Sequence, residues 1–336
     1  MKDLMRLLLW TIVLGLVLPQ TATSYCSGAD SSCYCTEPCN WHFRKELLYW
    51  TTFEDGLAFT NKHSDVLTTD DFTNTHKIHP DFHWEYGFRL AGGYTVPCTD
   101  WTFWVSWANI ASKATGQKKG NSGPPDFDGR FPLWSMSPDR LMGDYVSDAK
   151  ARWNLTTNIV DIEAQYKYCW CNLEVTPQIG LRVAIINQKL NAKYTGGTFF
   201  SGIDENVMRN RFVGVGPRMG SGATYYIWRG ISTFGLVAAT PMYGNFYDSH
   251  RETYLGADLY SAHNRRSNFT WSFDYQFGFQ WEGVVFDSWP KIFLAVAWEG
   301  NEFFRQNRMQ RGEFGFFKRN RNLSLMGWTF SASFCF

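Results

Sequence analysis

The sequence lacks the features that mark several large classes of protein. No apolar run reaches the 18 residues that a transmembrane helix requires, which excludes a helical membrane protein. Lysine plus arginine (32) almost equal aspartate plus glutamate (31), so no excess of charge indicates a nucleic-acid partner. No GxSxG, HExxH, Walker A or GxGxxG motif occurs in its required context, so the sequence predicts neither an enzyme activity nor a cofactor.

Aromatic residues, by contrast, are abundant: the 336-residue chain has 16 Trp, 16 Tyr and 28 Phe. In residues 271–281 every odd position is aromatic, and every even position is polar or glycine. The C-terminal stretch 322–336 alternates in a similar way and ends on Phe336. Because side chains alternate between the faces of a strand, both segments are predicted strands with one aromatic and one wetter face. A membrane barrel explains them, since it turns the aromatic face to lipid and leaves no open sheet edge.

The same alternation, interrupted by turn-rich stretches, predicts an all-β fold, a transmembrane antiparallel up-and-down β-barrel. About twelve strands are expected, and ten to sixteen are compatible with the pattern. The predicted strands are 43–60, 82–95, 100–110, 149–168, 173–189, 207–217, 224–239, 250–261, 268–282, 290–303, 311–318 and 322–336. Segment 149–168 changes its apolar phase near Ile159, which a β-bulge would explain.

The connections between the predicted strands alternate between long and short, as they do in bacterial outer membrane barrels. If the first strand ascends, the long connections 61–81, 111–148 and 190–206 are external, and the last strand descends to the periplasm. The longest connection, 111–148, has three interpretations: it constricts the barrel, it covers the barrel mouth, or it is a plain solvated loop.

The N-terminus predicts export. Lys2 and Arg6 precede an apolar run, and small residues follow at 22–24, so residues 1–24 are predicted to be a signal peptide. The mature chain then begins with a cysteine-rich periplasmic leader, 25–40, and continues as an outer membrane β-barrel, 41–336. Loss of the signal peptide lowers the formal charge from +1 to zero.

The cysteines are predicted to form disulfides rather than a metal site. An exported chain meets an oxidising compartment, and the paired CxxC spacing of zinc sites is missing. In the predicted topology every cysteine lies at the periplasmic end, within reach of other cysteines of the chain or of neighbouring envelope proteins. Their connectivity stays open. The candidates are Cys26, Cys33, Cys35, Cys39, Cys98, Cys169, Cys171 and Cys335.

Charged and polar side chains on the inward face are predicted to line a water-filled pore with a weak ion preference. The alternative is that they form salt bridges inside a filled barrel. The candidates are Glu85, Arg89, Asp161, Glu163, Lys167, Glu174, Arg182, Arg209, Arg211, Asp274 and Gln276. Histidines in or beside 61–81 are compatible with metal binding but are interpreted as part of a polar loop, so no metal is predicted.

Several segments resemble those of a known family. The stretches 46–57, 86–94, 211–220, 297–304 and 325–336 are similar, in this order, to the pattern of the Legionella-type major outer membrane protein family, which is found in chlamydia-like bacteria. The resemblance implies a pore-forming outer membrane barrel that passes small solutes. The terminal Phe336 resembles the signal that the outer membrane assembly machinery reads. The many cysteines depart from the family pattern and resemble the disulfide-linked major porins of chlamydiae.

The leading hypothesis is therefore a porin-like channel in the outer membrane for passive diffusion of small hydrophilic solutes and ions. The alternative is a disulfide-cross-linked structural or surface barrel with adhesin-like external loops. The expected partners are outer membrane lipid, small solutes and ions, a homo-oligomer such as a trimer, and disulfide-linked envelope proteins, but not nucleic acid. A barrel lipase is disfavoured by the missing nucleophile motif, and a secreted carbohydrate binder would be found in the soluble fraction.

Overall fold

The computed structural model describes residues 40–62, 76–120, 130–135, 146–228, 230–284, 291–309 and 321–336, and most of them belong to β-strands. None of these residues forms a helix that is long and apolar enough to cross a membrane. The long strands are β1 (Trp41–Glu54), β5 (Trp84–Thr95), β6 (Trp101–Lys119), β8 (Asp148–Tyr166), β10 (Leu173–Thr195), β11 (Ile203–Trp228), β12 (Ile231–Tyr254), β13 (Ala257–Val284), β14 (Lys291–Asn307) and β15 (Arg321–Cys335). The short strands are β2 (Thr60–Lys62), β3 (His76–Ile78), β4 (Asp81–Phe82), β7 (Arg130–Pro132) and β9 (Tyr168–Trp170).

The ten long strands form a closed antiparallel ring, which confirms the predicted barrel; ten lies within the expected range of strand number. The ring closes where β1 pairs with β15, for example through Leu47 opposite Phe330. The stagger of the ring is seen by moving from each residue to its partner on the next strand, starting at Glu46 of β1. In one direction around the ring this path reaches Asn268 of β13, and in the other direction it reaches Gln280 of the same strand. This offset, from 268 to 280, is the stagger that tilted strands need in order to close.

Three strands span residues 203–284, where the sequence predicted four. The predicted breaks 218–223, 240–249 and 262–267 lie inside β11, β12 and β13, so these boundaries were wrong. Glycine explains the first error: it is needed here for close backbone approach and not for a turn. Within the predicted break, a Cβ added to Gly220 would collide with the carbonyl oxygen of Val237 on the neighbouring strand. The predicted strand 311–318 lies outside the described residues.

Strand β8 pairs with both of its neighbours without a register shift, so the predicted bulge near Ile159 is absent. Trp153 and Leu155 are buried inside the barrel, whereas Ile162 is exposed on its outer face. The apolar phase changes along this strand because the inside of the barrel is apolar near one end and polar near the other.

The two ends of the barrel differ in their connections. The turn end carries both ends of the described barrel chain, since the amide of Asn40 donates a hydrogen bond to the carbonyl oxygen of Phe336 (3.0 Å), and it carries short connections such as 96–100. The loop end carries the longer connections 55–83 and 120–147, as predicted. The predicted long connection 190–206 was wrong in extent, because β10 and β11 leave only 196–202 between them, and the loop-end connection 255–256 is short. In outer membrane barrels short turns face the periplasm and long loops face the exterior.

A small sheet covers the loop end. Strand β2 pairs with both β3 and β7, and Tyr194 Oη of β10 donates to the carbonyl oxygen of Phe59 (2.6 Å). Trp134 Nε1 donates to the carbonyl oxygen of Ala58 (2.9 Å), and the Trp134 side chain is only 1% exposed. The described part of connection 111–148 therefore contributes β7 and Trp134 to a cover over the mouth, whereas residues 111–119 extend β6.

The outer face is apolar around the middle of the barrel. Phe103, Leu181, Val237, Phe277 and Phe330 lie on five different strands and are each about half exposed. We call this ring of outward apolar side chains the apolar belt. Such a band is expected where a barrel wall faces lipid.

Candidate functional site in the barrel interior

The inside of the barrel contains two layers of different chemistry. Ten strands enclose a narrow interior in which long side chains from different walls meet. The ionic layer consists of Glu46, Arg89, Asp161, Glu163, Arg182, Arg218, Asp274 and Glu299. The apolar layer lies nearer the loop end and consists of Leu48, Trp50, Trp153, Leu155, Ile186, Leu190, Phe212, Phe246 and Phe303.

One node of the ionic layer is centred on Arg89 of β5. Its Nη1 lies 2.6 Å from Glu46 Oε2 on β1, and its Nη2 lies 2.5 Å from Glu299 Oε1 on β14. Thr329 Oγ1 donates to the second oxygen of Glu299 (3.0 Å). These bonds hold one guanidinium between two carboxylates from different strands, which is the geometry in which arginine binds most strongly.

The second node crosses the lumen. Arg182 of β10 forms a two-point contact with Asp161 on the neighbouring strand β8, through Nε (2.7 Å) and Nη2 (2.8 Å). Its Nη1 donates to Asp274 Oδ1 on β13 (2.9 Å), three strands away around the ring. Arg218 of β11 contacts the other oxygen of Asp274, and its Nε lies 2.5 Å from Glu163 Oε1. Asp274 is therefore shared by two arginines.

The ionic layer is deeply buried and carries an excess of carboxylate. Arg182 and Asp274 are each 3% exposed. Three arginines face five carboxylates, a formal charge of −2, which Arg44 at the margin of the layer offsets in part through a 3.1 Å contact with Glu46. Removal of ions from water costs several kcal/mol per ion, so this arrangement holds only while each charge keeps its partners.

The apolar layer closes most of the interior above the ionic layer. Trp153 and Leu155 of β8 pack inside the barrel, and Phe212 of β11 lies 4.6 Å, between ring centroids, from Phe246 of β12. All four side chains are at most 1% exposed. The layer therefore excludes water from the part of the lumen that it occupies.

Buried polar residues also lie on the inward faces of β11, β12 and β14, between the ionic layer and the loop end. The polar strip consists of Asn206, Asn210, Asp248, His250, Asn301 and Gln306. Asn301 Nδ2 donates to Glu299 Oε1 of the ionic layer (3.3 Å), and Asn210 Nδ2 donates to the carbonyl oxygen of Gln306 (3.0 Å). Within the described part of the chain, both carboxylate oxygens of Asp248 and both polar side-chain atoms of Gln306 are buried without a hydrogen-bond partner. Buried polar atoms of this kind normally bind water.

Most of the predicted lumen-facing residues point inward. Arg209 and Arg211 do not: they are exposed on the outer face of β11, so their predicted orientation was wrong. Both faces of this segment carry apolar side chains, because its inward face belongs to the apolar layer, and the alternation therefore did not identify the lumen side. Lys167 lies at the turn end, 3.5 Å from Glu174. The inward residues are Glu85, Arg89, Asp161, Glu163, Glu174, Arg182, Asp274 and Gln276.

Sequence reasoning missed three members of the ionic layer. Glu46 shares its strand face with apolar Leu48 and Trp50, so that face was interpreted as apolar. Arg218 fell inside a predicted turn. Glu299 lies on the inward face that the alternation predicts for its strand, but nothing in the sequence indicated that Arg89 would pair with it.

The described cysteines and the C-terminus lie at the turn end, as the topology predicted. Cys98 and Cys171 occupy turns with positive φ (60° and 46°), and Cys171 is exposed with a free thiol. Cys335 ends β15, beside Phe336. The leader cysteines Cys26, Cys33, Cys35 and Cys39, the signal peptide, and most of the leader lie outside the described residues. Disulfide pairing and a role for Phe336 in assembly stay predictions.

Comparison with known proteins gives one family and several barrels. A family described as "Legionella pneumophila major outer membrane protein precursor" matches residues 34–336. No curated protein matches the chain.

Similar solved structures include the outer membrane protease OmpT from Escherichia coli, which is 11% identical with a TM-score of 0.45 and covers 88% of this chain and 97% of its own. A FadL homologue from Pseudomonas aeruginosa is 7% identical with a TM-score of 0.26 (88% and 90% covered). The toluene transporter TodX from Pseudomonas putida is 9% identical with a TM-score of 0.22 (88% and 90% covered). All three TM-scores lie below 0.5, and the barrel architecture rests on the strand pairing of this chain itself.

The family match extends from residue 34, within the predicted leader, to the last residue and includes every strand of the ring. The barrel is accordingly an outer membrane barrel, with the apolar belt facing lipid. The chain belongs to the family of the Legionella pneumophila major outer membrane protein.

Proposed function

We propose that the protein is a porin-like channel of low conductance that lets small hydrophilic solutes and ions diffuse across the outer membrane. The observation that carries the proposal is the polar strip. Asp248 and Gln306 of this strip have buried polar atoms without a hydrogen-bond partner among the described residues, and Asn301 contacts Glu299 of the ionic layer. Once hydrated, the side chains of the polar strip would form a narrow polar path beside the apolar layer.

The ionic layer supports the same proposal. Apolar side chains fill part of this lumen without charge, in the apolar layer. Buried ion pairs are often no more stabilising than apolar side chains of similar volume. Ionisable residues inside a membrane protein commonly mark an ion or solute pathway. We therefore assign the ionic layer as the constriction of the path, with Asp274 at its centre.

Conductance in planar lipid bilayers tests the proposal. The purified, folded protein should give small, discrete current steps with a weak preference for cations, since carboxylates outnumber arginines in the ionic layer. Replacing both Asp248 and Gln306 by leucine should abolish the steps by removing the hydratable groups from the strip. The matched control replaces Asp258 by asparagine, which removes a carboxylate from the outer wall and should leave the conductance unchanged.

The second candidate is a structural or surface barrel without a permeant solute, joined by disulfides to its neighbours. The closure of the lumen by the apolar layer and by the small sheet favours it, and Cys171 presents a free, exposed thiol at the turn end. Folded protein that inserts into bilayers and never conducts would support this candidate against the channel. Disulfide-linked oligomers on non-reducing gels of oxidised envelopes that disappear with Cys171→Ser would identify the cross-link.

A further inference from the structure

The outer wall carries a patch of basic residues just above the apolar belt on one side of the barrel. Arg209 and Arg211 of β11 lie there, next to Lys189 of β10. We call the whole patch the outer basic surface. Its members are Lys113, Arg152, Lys189, Arg209, Arg211 and Arg265, all exposed.

Strand register makes this surface continuous. Lys189 lies directly opposite Arg209 on one side and Asn154 on the other, and Asn154 in turn lies opposite Lys113. In the next row toward the turn end, Tyr247 lies opposite Arg211 and, on its other side, opposite Arg265. The surface extends over six neighbouring strands, from β6 to β13, and adjacent strands are about 5 Å apart.

This surface keeps an excess of positive charge, although Glu205, the partner of Lys193, lies near Lys189, and the Arg265 guanidinium lies 5.2 Å from the centre of the Tyr247 ring. Lys189 and Arg209 face each other across paired strands, an arrangement of like charges that destabilises a sheet unless an anion lies between them. No ion pair involving any of its six members is found within the described residues. One or two rows nearer the loop end the outer wall is different: Lys150, Lys193 and Arg251 each pair with a carboxylate on the same wall, at 3.4, 3.3 and 2.7 Å.

The position of the surface relative to the membrane identifies its ligand. On β11 the belt residues Val213 and Val215 follow Arg211 at once on the same outward face, and on β13 Phe269 follows Arg265 by four residues. The basic groups therefore lie on the order of 5–15 Å from the apolar belt, the depth of a lipid headgroup.

We propose that the outer basic surface binds the phosphates of an outer-leaflet glycolipid, the phosphorylated sugar headgroup of lipid A. Arginine provides the paired N–H donors that match phosphate oxygens, and lysine adds positive charge. The acyl chains of the same lipid would lie along the apolar belt beneath Val213 and Phe269. The site is separate from the lumen, so it does not depend on whether the barrel conducts.

The test compares two triple variants of the full chain, folded in neutral detergent and checked by their heat-modifiable mobility on gels. Lys189→Gln, Arg209→Gln and Arg211→Gln remove three charges from the outer basic surface. Lys150→Gln, Lys193→Gln and Arg251→Gln remove three charges that already have partners. We expect the first variant to weaken the binding of bisphosphorylated lipid A by at least about tenfold, which is about 1.4 kcal/mol, and the second by less than about twofold. Equal losses in both variants, or no loss in either, would overturn the site.

Two further arms identify the source of the phosphate. Lipid A stripped of its phosphates should bind the wild-type protein at least about tenfold more weakly; equal binding would overturn phosphate recognition. Inorganic phosphate that displaced lipid A at similar concentration would show a free-anion site and overturn the lipid assignment.

Stability provides a readout that does not depend on the binding assay. Without lipid A, the first triple variant should unfold at the same urea concentration as wild type or at a higher one, because the repulsion between Lys189 and its basic neighbours is relieved. With bisphosphorylated lipid A present, wild type should become the more resistant of the two. A variant less stable than wild type under both conditions by the same amount would contradict the proposal.

Discussion

The ionic layer and the apolar layer fill the same barrel by opposite means. Trp153 and Phe212 remove apolar surface from water, which contributes roughly 25 cal/mol for each Å² buried. Arg182 and Asp274 are buried to a similar degree, but their attraction is largely offset by the loss of hydration. The difference shows that a small barrel can be filled without charge. The charges of the ionic layer therefore add little net stability for their degree of burial, and the channel proposed above would give them a further role.

The largest effect is expected from Asp274→Asn. This change removes the carboxylate that Arg182 and Arg218 share and leaves two guanidinium groups buried side by side. The free energy of unfolding should fall by about 3–5 kcal/mol, measured by urea titration in lipid vesicles. A fall below about 1 kcal/mol, the size typical of exposed pairs, would show that water already solvates the ionic layer. Asp258→Asn, on the outer wall, is the control and should not move the unfolding midpoint.

A comparable loss through a different mechanism is expected from Leu190→Ala in the apolar layer. Leu190 is fully buried, so its truncation should leave a cavity and lower the free energy of unfolding by about 2–5 kcal/mol. Leu181→Ala on the same strand is the matched control, because Leu181 faces lipid, which fills the space that the side chain vacates. The same urea titration measures both. Equal losses at the two positions would mean that the apolar layer is not closely packed.

A paired replacement compares the two layers directly. Glu163→Leu together with Arg218→Met converts one contact of the ionic layer into apolar packing, while Asp274 keeps Arg182 as its partner. The double variant should be unchanged or more stable, by about 1–4 kcal/mol at most, whereas each single change destabilises the barrel. A double-mutant cycle measures this difference. A double variant as unstable as the two single losses combined would show that the ion pair contributes a large net stabilisation.

The smallest effect is expected from Arg251→Gln. Arg251 and Asp258 are both more than half exposed, and water and salt screen their contact, unlike the buried contacts of the ionic layer. The urea midpoint should not change at low or at high salt concentration. A clear loss at low salt would mean that ion pairs on the outer wall also stabilise the barrel, and that the contrast between inside and outside is weaker than the burial indicates.

Local pattern predicted the wall of the barrel well and its inside poorly. The alternation in 271–281 and 322–336 identified lipid-facing strands, because every outward residue meets the same apolar environment. Inward residues meet different environments at different depths. Arg211 and Phe212 were consequently assigned to the wrong faces, since an apolar lumen beside an apolar belt removes the contrast on which the assignment depends.

The breaks predicted between 217 and 268 failed for a related reason. Glycine and small polar residues are typical of turns, but Gly220 allows the backbone of β11 to approach Val237 on the next strand. Whether a glycine forms a turn or allows two strands to approach closely depends on the neighbouring strand, and the local sequence does not contain that information.

The sequence by itself determined the antiparallel barrel, the alternation of short turns with longer connections, and the location of the described cysteines at the turn end. These features follow from residues close together in the chain, whose side chains alternate between lipid and lumen. Only the tertiary structure decided that ten strands close with a stagger of 12 residues, from 268 to 280 on β13. That stagger brings Arg182 to Asp274, 92 positions along the chain. Contacts across a closed ring depend on the register of every pair between them, and no local pattern encodes that sum.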